Sequence, residues 1–412
     1  MKTLKEYENI VGAAVLNQLE QLAIHLHGKK VVHVNSTRTG GGVAEILAWM
    51  IPFMRELEID ASWEVISGTE PFFNVTKMFH NGLQGNTVDL RPINIEYYEA
   101  NNQANAEKLR PILEEADFVI IHDPQPALLL KLCPNRRGKW IWRCHIDASR
   151  PYRKVWKYLR PNLENYDASI FSMAEFSQSL PHPQFLVAPS IDPLSIKNVE
   201  LPEDEINAIY SRFSLDPEIP ILCQVSRFDH FKDPVGVINA YRLVKRFSPV
   251  QLVLAGGTAD DDPEGAEVLR EVQEAASEDS DIHVLLLPPD AHRTINALQR
   301  ASDIIIQKST REGFGLTVTE GLWKAKPVIG GDVGGIRLQV VNHHTGFLVN
   351  SPEGVAQRIR YLLNHREIMK TMGLKGREFV RENFLLTRHL REYLTLMVGL
   401  QVGFSDRLLA AD

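Results

Sequence analysis

The chain has 412 residues, of which 44% are hydrophobic and 24% charged, a composition typical of a globular protein with two domains. Its net charge is −7, from 45 basic and 52 acidic residues, which excludes a bulk positive field for nucleic acid or an anionic membrane. The three cysteines lack disulfide or metal-site spacing, and no signal-like N-terminus or 18-residue apolar run is found. We therefore predict a cytoplasmic protein without nucleic-acid or membrane partners.

Short strand-like runs alternate with helical patterns, which predicts parallel α/β architecture. The first half has predicted strands at Val31–Asn35, Trp63–Ser67, Phe118–His122, Trp140–Cys144 and Ser169–Ser172. Its predicted helices are Gly42–Leu57, Asn102–Glu115 and Tyr152–Asn165, preceded by a helix pair or arm through about His27. The second half has predicted strands at Ile221–Ser226, Gln251–Ala255, Ile282–Leu286, Ile304–Gln307, Pro327–Ile329 and Gly346–Val349.

A Pro- and acid-rich segment, residues 191–205, separates the two sets of strands and is predicted to be a hinge. We expect two doubly wound, Rossmann-like domains, residues 1–198 and 199–385, facing each other across a cleft, with ligands at the carboxyl ends of the strands. Residues 386–412 are predicted to form a C-terminal helix that crosses back to the first domain, followed by a weakly structured tail. The acidic run Asp260–Asp262 is interpreted as a solvated loop.

A glycine run, Gly40-Gly41-Gly42, follows the first strand and precedes a predicted helix. Glycines let the backbone approach a ligand closely, although a Gly-rich turn alone is weak evidence. The dinucleotide fingerprint G-x-G-x-x-G is absent because Glu45 occupies its last position, which disfavours a Rossmann dehydrogenase.

His145 and Asp147 follow a predicted strand, as do His122 and Asp123. A neutral histidine donates hydrogen bonds to sugar hydroxyls and an aspartate accepts them. A purely structural role is at least as common for such residues, so both interpretations stay open. The remaining histidines show no metal-ligand spacing, and no metal site is predicted.

Two cations, Arg227 and Lys232, follow the first strand of the second half. The bidentate fork of arginine and the point charge of lysine suit a diphosphate. A solvated basic loop is the commoner explanation for such a pair, but its position after a strand favours ligand binding.

Glu312 and Glu320 bracket a loop with Gly313 and Gly315 that leads into a helix predicted from Thr317. A glycine loop at a helix N-terminus offers free N–H groups and the positive end of the helix dipole to a phosphate. Ionised carboxylates are hydrogen-bond acceptors only, so they suit sugar hydroxyls. Together these features indicate a nucleotide-sugar site. A glycosidase carboxylate pair is the alternative, but it leaves the phosphate-type loop unexplained.

These motifs together resemble the retaining GT-B glycosyltransferases of family 4, and the resemblance covers most of the chain. It rests on Arg227 and Lys232, the paired glutamates, and three further motifs. These are Gly321 with Pro327-Val328-Ile329, Gly334-Gly335-Ile336, and Thr345-Gly346-Phe347-Leu348-Val349. Within that family, residues 37–45 and 145–147 are most similar to the trehalose glycosyltransferring synthases, which join glucose from a nucleoside diphosphate glucose to free glucose.

The resemblance implies a role for each matching residue. The implied donor site comprises Arg227, Lys232, Glu312, Gly313, Phe314, Gly315, Leu316, Thr317 and Glu320, with Arg227, Lys232, Glu312 and His145 as catalytic residues. The two cations would neutralise the leaving diphosphate, with backbone N–H groups near Leu316 and Thr317. Glu312 would lie at the transferred sugar and Glu320 at the ribose. His145 would contact the donor sugar, and Gly41, Gly42 and Asp147 would border the acceptor.

The expected activity is therefore a reversible, retaining and metal-independent transfer that forms trehalose, with the nucleotide sugar and glucose as partners and no cofactor. A sucrose or glycogen synthase-like enzyme with another acceptor is one alternative. A nucleotide-sugar epimerase of similar fold and a non-catalytic sugar-binding protein are two more. The sequence leaves the nucleotide base and the oligomeric state open, a homodimer being one option.

Overall fold

The computed structural model describes residues 2–39, 42–257 and 263–403. The chain forms two compact units. The first unit consists of Met1–Ala188 and the C-terminal segment from Leu386, and the second consists of Pro189–Leu385. The acidic run Asp260–Asp262, which was predicted to be a solvated loop, and the predicted tail beyond residue 403 lie outside the described residues.

The first unit is built on a parallel six-stranded sheet of order β2-β1-β3-β4-β5-β6. Its strands are β1 Lys30–Asn35, β2 Asp60–Val65, β3 Phe118–His122, β4 Lys139–Arg143, β5 Ala168–Phe171 and β6 Gln184–Leu186. Its helices are α1 Glu8–Val11, α2 Ala13–Ile24, α3 Gly42–Glu56, α4 Glu70–Leu83, α5 Pro92–Glu115, α6 Leu129–Leu132, α7 Arg153–Leu163 and the C-terminal α16 Leu386–Val402.

The second unit is also built on a parallel six-stranded sheet, of order β12-β11-β10-β7-β8-β9. Its strands are β7 Ile221–Val225, β8 Gln251–Gly256, β9 Ile282–Leu286, β10 Ile304–Gln307, β11 Val328–Gly331 and β12 Gly346–Val349. Its helices are α8 Glu203–Phe213, α9 Pro234–Lys245, α10 Pro263–Ala276, α11 His292–Ala301, α12 Leu316–Trp323, α13 Ile336–Gln339, α14 Pro352–Asn364 and α15 Arg366–Asn383.

The central strands are buried on both faces, which is why their sequences are nearly continuous apolar runs. Every residue of β3, β7 and β10 is buried. Helices cover these strands, and each unit has an extended apolar core between its sheet and helices. The predicted fold class of two doubly wound α/β units is confirmed.

The order of the strands fixes where ligands are expected to bind. In the first sheet the order reverses between β1 and β3, and in the second between β7 and β10. Open α/β sheets bind ligands outside the carboxyl ends of the strands at such a switch point. The loops that follow β7 and β10 are those that carry Lys232 and Glu312.

The two units divide after Ala188, ten residues before the predicted boundary at residue 198. The intervening segment packs within the second unit. Ile191 pairs with Leu385, and the Asn198 side chain accepts a hydrogen bond from Lys324. Helix α16 belongs to the first unit, where the Arg388 guanidinium donates to the carbonyl of Ala188 at 2.9 Å.

The largest differences between the predicted and observed strands are at β2 and β6. Strand β2 occupies Asp60–Val65 rather than residues 63–67, because it pairs with β1 from Lys30 onward and the Ser67 amide instead donates to the Asn105 side chain. Strand β6 was not predicted, since it is a short edge strand without a buried residue and therefore lacks an apolar run.

Candidate active site

The loops after β7 and β10 lie side by side at the switch point of the second sheet. The Thr310 amide donates to the carbonyl of Phe231 at 2.8 Å, which joins the two loops through their backbones. The Gln224 side chain, at the end of β7, donates to the carbonyl of Lys232 at 2.8 Å. These hydrogen bonds fix the backbone position from which the Lys232 side chain extends.

Lys232 and Glu312 form a close ion pair across these loops. The Lys232 Nζ lies 2.6 Å from the Glu312 Oε2, and the two side chains are only 17% and 9% exposed. The Ser309 hydroxyl also donates to the Glu312 Oε2, at 3.1 Å. A lysine and a glutamate 80 residues apart in sequence therefore share one site, where low exposure strengthens their attraction.

The loop from Glu312 enters helix α12 through Gly315, which has a φ of +83°. Glycine adopts this left-handed conformation without strain. The amides of Leu316 and Thr317 open the helix, so they have no acceptor inside it and carry its positive end. The Thr317 hydroxyl is anchored to the Gln307 side chain at 3.2 Å. The start of helix α12 thus lies next to Glu312 of the Lys232–Glu312 pair, and its role as an anion-binding site stays a prediction.

Gly334 and Gly335 support this loop from the neighbouring turn after β11. The Gly335 amide donates to the carbonyl of Gly313 at 2.9 Å. A Cβ atom at Gly334, which has a φ of +45°, would lie 1.8 Å from the Glu312 carbonyl oxygen. This contact explains the glycine at position 334, and a Cβ atom at Gly335 would lie 2.5 Å from the Phe314 Cα.

Arg227 is placed differently from Lys232. Its side chain is 66% exposed and its guanidinium lies 3.5 Å from the Asp229 carboxylate. The Asp229 carboxylate also accepts the Phe231 amide at 2.6 Å and so shapes the loop. Arg227 thus offers an exposed cation on the loop whose other cation, Lys232, is largely covered.

Glu320 lies inside helix α12 and is 8% exposed. Lys324, one turn later, is also buried, and its Nζ donates to the Asn198 side chain at 3.2 Å. Burial lowers the pKa of Lys324 to about 8, and the charge of Glu320 offsets part of this effect. The sequence interpretation missed Lys324, although its spacing of four residues from Glu320 was a usable signal.

In the first unit His145 follows β4 and its backbone amide donates to the Asp123 carboxylate at 2.7 Å. Asp147 accepts the Ser149 amide at 2.9 Å and so stabilises a turn. Gly42 begins helix α3, and a Cβ atom there would meet nothing within 4 Å. Gly40 and Gly41 lie outside the described residues.

The side chain of His145 belongs to a chain of three histidines that sequence reasoning did not predict. His122 hydrogen-bonds His145 at 2.9 Å and His33 at 3.0 Å. His122 was recognised as a candidate of uncertain role, whereas His33 lies inside β1 and resembles an ordinary strand residue. Only the adjacency of β1 and β3 brings these two side chains together.

Comparison with known proteins decides the family. Residues 33–178 match the family described as trehalose synthase, N-terminal domain, and residues 208–379 match glycosyl transferases group 1. The trehalose synthases of Thermococcus litoralis and Pyrococcus furiosus are each 48% identical over 405 residues, which cover 96% of this chain and 97% of each relative. This chain belongs to the trehalose synthase family of glycosyltransferases.

The fold of this trehalose synthase family member also recurs in solved structures. An α,α-trehalose-phosphate synthase (UDP-forming) from Burkholderia xenovorans, in complex with glucose-6-phosphate, matches with a TM-score of 0.70 and 13% identity. The match covers 90% of this chain and all of the other. The predicted GT-B fold and the resemblance to trehalose synthases are confirmed.

Neither a metal-binding cluster nor a membrane-spanning helix occurs in the described part of this trehalose synthase family member. Within residues 2–39, 42–257 and 263–403, no group of three or more His, Cys, Asp or Glu side chains is arranged to hold a metal ion. In the same part of the chain, no helix has the length and apolarity needed to cross a membrane.

The buried histidines of this family member predict that its first unit loses stability in acid. Burial lowers the pKa of His33 from 6.5 to about 3, and those of His122, His145 and His389 also fall well below 6.5. Above its unfolded-state pKa, a histidine with a lowered pKa in the folded protein leaves the unfolding free energy at its full value. As the pH falls below that pKa, the unfolded protein takes up a proton that the folded protein does not, and the unfolding free energy decreases. For His33 the loss is about 1.4 kcal/mol per pH unit between 6.5 and 3. Asp123 opposes it between about pH 4 and 6, because burial raises its pKa to about 6.

Urea unfolding at pH 7 and pH 5, followed by tryptophan fluorescence, measures this loss. Five of the six tryptophans lie in the first unit, so the signal reports mainly on it. We expect a lower unfolding free energy at pH 5 than at pH 7, and a weaker pH dependence in His33→Gln. The exposed His25→Gln variant should keep the wild-type dependence. An unchanged pH dependence in His33→Gln would contradict the assignment.

Proposed function

We propose that the chain is a retaining glucosyltransferase that moves glucose from a nucleoside diphosphate glucose to free glucose and forms trehalose. The observation that carries the proposal is the Lys232–Glu312 pair beside the N-terminus of helix α12. A cation and free helix amides suit a leaving diphosphate, and a carboxylate suits the hydroxyls of the transferred glucose. Membership in the trehalose synthase family supports trehalose as the product.

In the proposed step, the bond between the anomeric carbon and the diphosphate oxygen breaks while a bond to the acceptor hydroxyl forms on the same face. The acceptor's proton passes to the departing phosphate oxygen, so no protein side chain becomes a covalent intermediate. Lys232, Arg227 and the first amides of α12 would stabilise the charge that develops on the diphosphate. Because these groups are cationic or donors, we propose that the transfer needs no metal ion.

The Lys232–Glu312 ion pair shapes how the donor would bind. Lys232 is held by Glu312 at 2.6 Å, so a diphosphate would share or take over this cation. Glu312 would then keep the Ser309 hydroxyl and gain the hydroxyls of the donor sugar. Glu320 is proposed to accept from the ribose, and the charge of the buried Lys324 one turn later interacts with it.

The first unit would supply the acceptor side of the reaction. His145 is proposed to donate to the donor sugar, with Gly41, Gly42 and Asp147 bordering the acceptor glucose. Excluding water from this site matters, since water competes with the glucose hydroxyl for the same carbon.

Product chromatography with the purified protein tests the proposal. With a nucleoside diphosphate glucose, free glucose and a chelator, we expect release of nucleoside diphosphate together with trehalose. Activity that appears only after magnesium is added would refute the metal-free step.

The same experiment separates the alternatives. Turnover with another acceptor but not with glucose would indicate a different transferase. Conversion of the nucleotide sugar without any acceptor would indicate an epimerase, and binding without nucleotide release would indicate a sugar-binding protein.

A further inference from the structure

Three imidazole rings form a continuous hydrogen-bonded chain at the switch point of the first sheet. The His33 Nδ1 lies 3.0 Å from the His122 Nε2, and the His122 Nδ1 lies 2.9 Å from the His145 Nε2. Neighbouring rings stack with centroids 5.3 Å apart in both steps. The chain therefore connects the interior of β1 to the end of β4, where His145 is only partly buried.

The surroundings keep all three rings neutral. His33 and His122 are 0% and 1% exposed, and burial is the main cause that lowers the pKa of each histidine. The ionisable groups beside the rings are Arg143 on β4, Asp123 after β3, and His389 and Tyr393 on α16. Arg388, also on α16, acts on His389. The buried Arg143 guanidinium further disfavours a proton on His122 and His145.

A neutral imidazole has one N–H donor and one acceptor nitrogen, so the two hydrogen bonds must run in one direction. If they run from His145 inward, the last N–H is at the His33 Nε2. If they run outward, the His33 Nε2 is only an acceptor. This nitrogen is buried and has no hydrogen-bond partner among the described residues. Buried N–H groups without a partner are rarer than buried acceptors without one, which favours the outward direction.

The outward direction determines whether the Nδ1 of His145, the ring nitrogen not bonded to His122, carries a proton. Its Nε2 accepts from His122, so its proton must be on Nδ1. The Nδ1 has no partner among the described residues and is not one of the fully buried unpartnered atoms, which leaves it within reach of a ligand. A neutral histidine in water prefers the Nε2–H tautomer. The hydrogen bonds of the buried His33 and His122 would therefore have to impose the Nδ1–H tautomer on His145.

We propose that His122 and His33 are positioning residues that hold His145 as the Nδ1–H tautomer, which offers a fixed hydrogen-bond donor to a sugar oxygen. The assignment of that oxygen to the donor sugar rests on the proposed function. Holding the tautomer and the ring orientation in advance means that neither has to be selected when the sugar binds.

Nitrogen-15 NMR of the full chain labelled at histidine tests the tautomer without any substrate. The His145 signals are assigned by their loss in His145→Gln. We expect a protonated Nδ1 and an unprotonated Nε2 in the wild-type protein. A protonated Nε2, whether alone or in an imidazolium, would overturn the proposal.

Two variants of nearly equal shape test the role of His122. His122→Asn places an amide N–H near the former Nδ1, whereas His122→Leu removes the donor. In His122→Leu we expect that His145 is no longer held as the Nδ1–H tautomer. The kcat should fall about 10- to 100-fold, the usual effect of losing the group that orients a site histidine. The KM for the donor should change less, and His122→Asn should keep the tautomer and recover most of the lost kcat.

A matched control is His80→Leu, which removes a half-buried histidine of the same unit and should change neither tautomer nor kcat. Equal losses in His122→Asn and His122→Leu, or an unchanged His145 tautomer in His122→Leu, would overturn the proposal. If His122→Leu does not fold, the wild-type spectrum still decides. If His145 shows the expected tautomer but the protein makes no trehalose, only the proposed function is refuted.

Discussion

Replacing Lys232 with alanine is expected to lower kcat for trehalose formation about 100- to 1,000-fold, the usual effect of removing one group that stabilises developing negative charge. The ammonium is 2.6 Å from the Glu312 carboxylate at the switch point, where a leaving diphosphate is proposed to bind. Steady-state kinetics with nucleoside diphosphate glucose and glucose measure the effect. The KM values should change less than kcat, because the interaction is strongest as the bond breaks.

Stability measurements separate the catalytic role of Lys232 from its structural role. Lys232→Ala leaves a largely buried carboxylate with the Ser309 hydroxyl but without its ammonium, which we expect to cost about 1–3 kcal/mol of unfolding free energy. The double variant Lys232→Ala/Glu312→Ala should recover much of that stability and none of the activity. Recovery of activity in the double variant would show that Lys232 acts only by neutralising Glu312.

Lys245→Ala is the matched control for this experiment. Lys245 also pairs with carboxylates of the second unit, those of Asp279 and Asp281, and lies on helix α9 outside the proposed site. Its loss should lower stability while leaving kcat near the wild-type value. A comparable fall in kcat for Lys245→Ala would mean that the Lys232 effect is not specific to the site.

Replacing Gly334 with alanine is expected to lower kcat at least about 100-fold, since displacing a site by about 1 Å has effects of this size. The new Cβ would lie 1.8 Å from the Glu312 carbonyl oxygen, so the loop before helix α12 must move. The φ of +45° at Gly334 adds backbone strain for alanine, and we expect an unfolding free energy lower by roughly 2–4 kcal/mol. Kinetics and urea unfolding measure the two effects.

Gly354→Ala provides the control for this substitution. A Cβ atom there would make only ordinary contacts at 3.6–3.7 Å, within the first turn of helix α14. The change should leave kcat unaltered and leave stability equal or slightly higher. Wild-type activity in Gly334→Ala would show that the Glu312 loop is not held in place by the neighbouring turn.

The site could be predicted from the sequence wherever its chemistry lies in one continuous segment. The loop from Glu312 to Gly315 and the helix after it are local features, and the helix begins at Leu316, one residue from the predicted start. Strands β3, β9, β10 and β12 have the predicted bounds, and β3, β10 and β12 are apolar runs followed by a polar residue. The roles assigned to the site residues, those of Lys232, Glu312 and His145 as well as Arg227 and Glu320, stay predictions.

The residues that sequence reasoning missed act through neighbours distant in the chain. Ser309 was overlooked because nothing in a lone serine indicates that it will donate to Glu312. His33 was overlooked because its partner, His122, is 89 residues away. Lys324 shares its site with Asn198, from a segment that was predicted to be a hinge.

The sequence by itself determined the α/β class, the family and the position of the glycine loop before helix α12, because strand and helix periodicity and short glycine motifs are properties of neighbouring residues. Only the tertiary structure decided which charged side chains pair and which histidines hydrogen-bond to each other. Strand order brings β7 beside β10 and β1 beside β3. That order places the side chain of Lys232 beside that of Glu312 and the ring of His33 beside that of His122. Pairing across a sheet depends on packing of the whole unit, which no single segment of the chain encodes.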